Sequence, residues 1–227
     1  MSNQVNDISY VSLIQVNIVL NKNIILWLGS ATPRALRDID LAQDSVVKIF
    51  SFSREPNVVQ PWQTTEKEYS SSGFAISGRR ILTNAHVVGD HSYLQVRKHG
   101  SPTKYKAEVK AFGIFGARRY TFIGETIYAL GYPRDGDIIS VTKGIVTRVE
   151  PQKYAHSSIE ILTIQTDACI NGGKSGGPVV MGNKVAGVVF ENDSPSDKYI
   201  IPTPIIKHFL AGVEETGQYQ LVYVLWI

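Results

Sequence analysis

The chain has 227 residues, 43% of them hydrophobic, so it can bury the core of one large domain or two small ones. Its net charge of +3 comes from 23 basic and 20 acidic residues scattered along the sequence, a distribution that excludes the basic stripe of a nucleic-acid binder. A single cysteine, Cys169, forbids an internal disulfide and points to a reducing compartment.

Residues 1–41 differ from the rest, being rich in Asn and carrying one apolar run, Ile24 to Leu28. That run is too short to cross a bilayer, and Asn17, Asn21, Lys22 and Asn23 interrupt any longer window, so no membrane span is expected. Few acids before Asp38, with Arg34 and Arg37 near the end, suit an organelle transit peptide. The poverty in Ser and Arg suits a disordered extension equally well.

From Asp44 onward, short apolar segments alternate with Gly, Pro and polar turns. Strands are expected at Ser45–Phe52, Gly73–Ile76, Arg80–Thr83, Tyr93–Val96, Ala107–Phe112, Thr126–Leu130, Ser140–Val149 and Ile159–Thr166, then a hairpin over Val179–Phe190. Such a series indicates an all-β sandwich or a pair of barrels. Lys106, Glu108 and Lys110 alternate with Ala107 and Val109, as on a half-buried strand. The doublets Arg79-Arg80, Arg97-Lys98 and Arg118-Arg119 read as solvated faces. One late helix is signalled by Thr203 as N-cap, Pro204 in the first turn, an apolar face of Ile205, Ile206, Phe209 and Leu210, and Gly212 as its stop. No cofactor motif or metal-ligand spacing is present.

Two readings compete for "DACINGGKSGGPVV", Asp167 to Val180. Ala168 to Ser175 fits a relaxed phosphate loop, but such a loop must open a helix whose N-terminal amides hold the phosphate. Gly176-Gly177-Pro178 and the hairpin after it deny that helix. The surviving reading is a glycine-rich turn that presents Ser175. A serine hydroxyl becomes nucleophilic when an imidazole takes its proton, and neighbouring backbone N–H groups can hold the oxyanion. His86, in "ILTNAHVV" just past an apolar strand, is the matching base. Cys169 beside this loop is either a reactive thiol or a small apolar side chain packed beneath it.

These two contexts, with "LGYP" (Leu130 to Pro133), "ISVTKGIVTRVE" (Ile139 to Glu150), "SREPNVVQPW" (Ser53 to Trp62) and "YIIPTPIIKHFLAGVEETGQY" (Tyr199 to Tyr219), resemble the Deg/HtrA (protease Do-like) serine proteases of plants. The resemblance implies a double β-barrel of the chymotrypsin type with a C-terminal helix, occupying residues 42–219. It implies His86 as base, Ser175 as nucleophile, the Gly173 and Ser175 N–H groups as oxyanion hole, unfolded polypeptide as substrate partner, and a homo-oligomer, a trimer in relatives.

The chain departs from that pattern in three ways. Lys174 stands where the family has Asn, and its side chain is expected to point to solvent. Residues 220–227 leave no room for a PDZ domain. The triad aspartate, expected near Ala117, has no counterpart, since no Asp lies between Asp90 and Asp135. The stretch before Leu130 is also short, which implies a truncated first barrel with unpaired edges. Glu125 is the candidate substitute acid. Glu108 faces outward, Asp90 lies close to His86 in sequence, and Asp167 reads as structural. Loss of the orienting carboxylate costs such an enzyme about 10⁴ in kcat. The functional expectation is therefore a serine endopeptidase of low activity, for want of the triad Asp, or an inactive pseudoprotease that binds peptides or partner subunits.

Overall fold

The computed structural model describes residues 11–16, 39, 42–57, 59–60, 62–77, 79–113, 123–153, 160–182, 184–191 and 198–216. Ala117, Arg118-Arg119 and most of residues 1–41 lie outside these. Among the described residues twelve strands form two closed six-stranded barrels. The first contains β1 (Val11–Val16), β2 (Val46–Pro56), β3 (Thr64–Ile76), β4 (Arg80–Asn84), β5 (Tyr93–Lys98) and β6 (Lys104–Gly113), in the ring order β1-β4-β3-β2-β5-β6. The second contains β7 (Thr126–Gly131), β8 (Ser140–Lys153), β9 (Glu160–Thr166), β10 (Pro178–Met181), β11 (Lys184–Glu191) and β12 (Lys198–Pro202), in the order β10-β11-β12-β9-β8-β7. The short α1 (Ala85–Val88) follows β4, and α2 (Thr203–Thr216) follows β12.

The expected open first barrel does not occur. β1, drawn from the segment read as an extension, lies antiparallel between β4 and β6, with Leu13 opposite Leu82 on one side and Ala111 on the other. Unpaired backbone N–H and C=O groups at two strand edges would have to find water or another chain, and β1 satisfies both edges at once. The remaining ladders follow from β-branched and aromatic residues with alternating burial. In β6, Ala107 is buried while Lys106, Glu108 and Lys110 are exposed, as the alternation implies. The long β2–β3 hairpin pairs Val46 with Phe74 at its buried end and Pro56 with Thr64 at its exposed tip.

Each barrel fills with its own side chains. Val47, Ile49, Ile81, Leu94 and Val96 form the first interior; Ile127, Val146, Ile164, Val179 and Ile200 form the second. A third cluster joins the barrels to α2: Phe74 and Leu82 from the first, Val188 and Ile201 from the second, and Ile205, Ile206 and Phe209 from the helix. Truncating a buried Phe such as Phe209 to Ala costs about 3–5 kcal/mol, so α2 acts as a clasp between barrels. The helix runs past Gly212 to Thr216 instead of stopping there. An interior Gly costs about 1 kcal/mol in a helix, and Val213 packs on the third cluster in the next turn. β12, with Tyr199, Ile200 and Ile201 buried, is also a strand that the sequence pattern left unassigned.

Deleting residues 1–17 removes β1 and opens the first barrel. The expected outcome is a lower thermal midpoint and increased binding of a hydrophobic dye by the deleted chain; an unchanged melt would show that β1 carries none of the barrel's stability.

Candidate active site

The two residues singled out for chemistry come from different barrels and meet in one cleft. His86 stands in α1 directly after β4; Ser175 stands in the turn before β10. Both line a cleft of about 920 Å³, together with Val87, Asp90, Ser70, Ser71, Arg134 and Gly173. His86 is exposed to the cleft, and its ring meets Phe190 of β11 edge-on, with 5.6 Å between centroids. Ser175 is only 4% exposed.

The turn that carries Ser175 is held by glycines that other residues cannot replace. Gly173 has φ +93, and a Cβ there would collide with the backbone nitrogen of Arg134. Gly176 has φ +84, and a Cβ there would collide with Ser72 O and Thr83 Oγ1 of the first barrel. Both positive φ values belong to the region that glycine alone enters without penalty. The Gly176 N–H donates to Val189 O (2.9 Å), and Val189 N–H donates to Gly177 O (2.8 Å), fixing the turn on β11. No described residue accepts a hydrogen bond from the Gly173 N–H, so this donor is not spent on the described backbone.

Several polar residues that the sequence reading passed over hold this turn against the first barrel. Ser72 is fully buried; its Oγ donates to Gly173 O (2.8 Å) and accepts from Tyr132 N–H (2.8 Å). Its N–H donates to Ser175 O (3.1 Å), and Ser71 Oγ donates to the same oxygen (2.8 Å). On the His86 side, Thr83 Oγ1 donates to Ser72 O (2.8 Å) and Asn84 Nδ2 donates to Val189 O (2.7 Å). The available signal was the run Ser70-Ser71-Ser72 in a segment leading into Phe74: serines poorly suited to a strand, at positions about to be buried.

Lys174 is the main correction to the expected site. Its side chain does not reach solvent; the residue is 1% exposed, and its Nζ donates to Thr142 Oγ1 of β8 (3.0 Å) and Cys169 O (3.4 Å). Burial lowers its pKa from the ordinary lysine value, an effect that the nearby Cys169 partly opposes. Cys169 is exposed, not packed beneath the loop, and donates weakly to Asn171 Oδ1.

Among the acids, Glu125 is exposed and lines a separate cavity with Ile123, Thr126, Tyr128, Lys143 and Met181, a cavity that includes neither His86 nor Ser175. Asp90 shares the His86 cleft. Asp167 accepts the Ile145 N–H (2.7 Å) and so serves the second barrel's backbone, while Glu108 pairs with Lys110 at the surface. Asp137 spans the barrels: its carboxylate meets Arg97 of β5 (2.7 Å) and Lys48 of β2 (3.0 Å), which hold its pKa down to about 2. Of the basic doublets, Arg97 is therefore engaged, not merely solvated, and Arg80 pairs with Glu214 of α2 (3.0 Å). Among the described residues no group of three His, Cys, Asp or Glu is arranged to hold a metal, and no helix is long and apolar enough to cross a membrane.

Residues 112–188 match the family model of the trypsin-like peptidase domain. The chain is 68% identical over 157 residues to the putative protease Do-like 6, chloroplastic, of Arabidopsis thaliana, a match covering 60% of this chain and 72% of that protein. It is 52% identical over 204 residues to the protease Do-like 4, mitochondrial, of the same plant, covering 80% of this chain and 39% of the relative. Among solved structures, the HtrA-type protease AlgW with a decapeptide superposes with a TM-score of 0.61 at 21% identity, covering 82% of this chain and 69% of that one. The active form of the Rv3671c protease from M. tuberculosis superposes with a TM-score of 0.58 at 22% identity, covering 86% and 92%. At these identities the structures attest the shared double-barrel fold.

Ser72→Ala removes a donor to Gly173 O and an acceptor for Tyr132 N–H, leaving both buried. A loss of about 1–3 kcal/mol for each orphaned group is expected in urea unfolding, and a loss below 1 kcal/mol in total would refute the role given to Ser72. Asp137 provides a second check through pH. Its folded pKa of about 2 lies below the ordinary 3.8, so its contribution is complete above 3.8 and disappears as pH falls through 2. Wild type should therefore exceed Asp137→Asn in urea midpoint at pH 6, and the gap should close between pH 4 and 2, roughly the window set by those two values.

Proposed function

The chain belongs to the protease Do-like (Deg/HtrA) family of trypsin-like serine proteases, and from that premise we propose that it is an endopeptidase acting on unfolded polypeptide. The carrying observation is that His86 and Ser175 line one cleft from opposite barrels, with no acceptor for the Gly173 N–H among the described residues. In the proposed reaction Ser175 Oγ attacks the scissile carbonyl carbon while its proton passes to His86. The carbonyl oxygen becomes an oxyanion received by the Gly173 and Ser175 N–H groups. Collapse of the tetrahedral intermediate breaks the C–N bond as His86 returns the proton to the leaving amine. Water, deprotonated by the same imidazole, then releases the acyl group.

An open cleft of about 920 Å³ with a mixed polar lining suits an extended chain, which supports unfolded polypeptide as the substrate class. The chloroplastic and mitochondrial relatives support a plant organelle as the place of action. The rival reading, a peptide-binding pseudoprotease, gives a different result in one assay. The purified chain should be labelled by a fluorophosphonate and cleave unfolded casein. Ser175→Ala should abolish both, and His86→Ala should reduce cleavage by roughly 10², the share of a triad's effect that remains to the imidazole when no orienting acid supports it. Glu125→Gln should leave both unchanged, given its separate cavity. Absence of labelling in a folded wild-type chain would establish the pseudoprotease instead.

A further inference from the structure

A buried lysine directly before the nucleophile, with no carboxylate paired to it among the described residues, calls for a physical reason. Filling that space is not sufficient, because an apolar side chain of equal length would fill it without desolvating an ammonium. What the ammonium adds is connection. Lys174 leaves the turn on the side opposite the cleft, since Gly173 and Ser175 line the cleft and Lys174 does not. Its Nζ reaches Thr142 Oγ1 on β8 and the carbonyl of Cys169, five residues back. Its own N–H donates to Asn171 O (3.2 Å), and its carbonyl accepts the Gly177 N–H (2.9 Å). The segment from Cys169 to Gly177 is thereby closed on itself and tied to a barrel strand at the residue between the two proposed oxyanion donors.

We propose that Lys174 is a positioning residue whose buried ammonium holds the Gly173–Ser175 turn rigid, so that its backbone N–H groups are already aimed where the oxyanion develops. Such preorganisation matters because donors that must first be ordered lose most of their value in the transition state. The proposal rests on the endopeptidase reading for its kinetic consequence, but the tether itself is a property of the folded chain. Thr142 is the other half of the device: its hydroxyl accepts from Lys174 and must be present for the tether to work.

The test uses the full chain and three variants: Lys174→Met, which keeps length and removes the N–H groups; Thr142→Val, which removes the acceptor; and Thr142→Ser, which restores it. Two readouts are taken: kcat and KM on an internally quenched peptide, and hydrogen exchange of the amides from 171 to 177. Lys174→Met should lower kcat about tenfold with KM unchanged, less than the roughly 10²–10³ lost when an oxyanion donor is removed outright because the donors are loosened and not deleted, and should speed exchange across the turn. Thr142→Val should do the same to a smaller degree, and Thr142→Ser should behave as wild type. Unchanged turn exchange in Lys174→Met overturns the proposal, as does a change confined to KM, or a Thr142→Ser variant as impaired as Thr142→Val. If the wild type neither cleaves the peptide nor takes up fluorophosphonate, the endopeptidase reading fails, and the exchange data alone decide whether Lys174 orders the turn. Should Lys174→Met fail to fold, the contrast between Thr142→Val and Thr142→Ser still decides.

Discussion

Everything at the candidate site depends on Ser72 of β3, a small side chain buried where the two barrels meet. Its N–H, its hydroxyl and its carbonyl are all engaged: with Ser175 O, with Gly173 O and Tyr132 N, and with Thr83 Oγ1. The nucleophile turn from one barrel and the histidine strand from the other are therefore referenced to the same residue. A larger side chain would separate them, and an apolar one would leave buried polar atoms without partners.

That contact sets a requirement on the opposite surface. For Ser72 and Thr83 to reach the turn, its backbone must come close enough that no Cβ fits at Gly176. Val189 completes the arrangement from β11, receiving the Gly176 N–H and the Asn84 side chain on one carbonyl oxygen. Two elements distant in sequence, β4 and the Ser175 turn, thus share one acceptor. Such coupling resists independent motion of β4 and the Ser175 turn, and with them of the two side chains that line the cleft.

Charge is distributed by the same logic of compensation. Where a carboxylate is near, as at the exposed Asp137, it joins the buried Lys48 and the largely buried Arg97 across the barrel boundary. Where none is near among the described residues, as at Lys174, the ammonium donates to a hydroxyl and a carbonyl and its pKa is lowered by burial. The first arrangement aligns the barrels from outside, and the second stiffens the turn from within.

Much of this was legible in the residues. Alternating burial in β6, the glycines flanking Ser175 and the apolar face of α2 are local signals, because strand period, backbone freedom and helix period depend on near neighbours. They sufficed for the double-barrel class and for pairing His86 with Ser175. The direction of Lys174 was not legible, since a lysine's exposure depends on whether a distant hydroxyl, here Thr142, stands within reach of its ammonium. Nor was the closure of the first barrel: β1 joins β4 and β6 across a sequence gap of more than sixty residues, and only the spatial proximity of two open edges selects that strand. Local chemistry singled out Ser175 and His86 as candidates; long-range pairing decided what completes the barrel and what holds the turn.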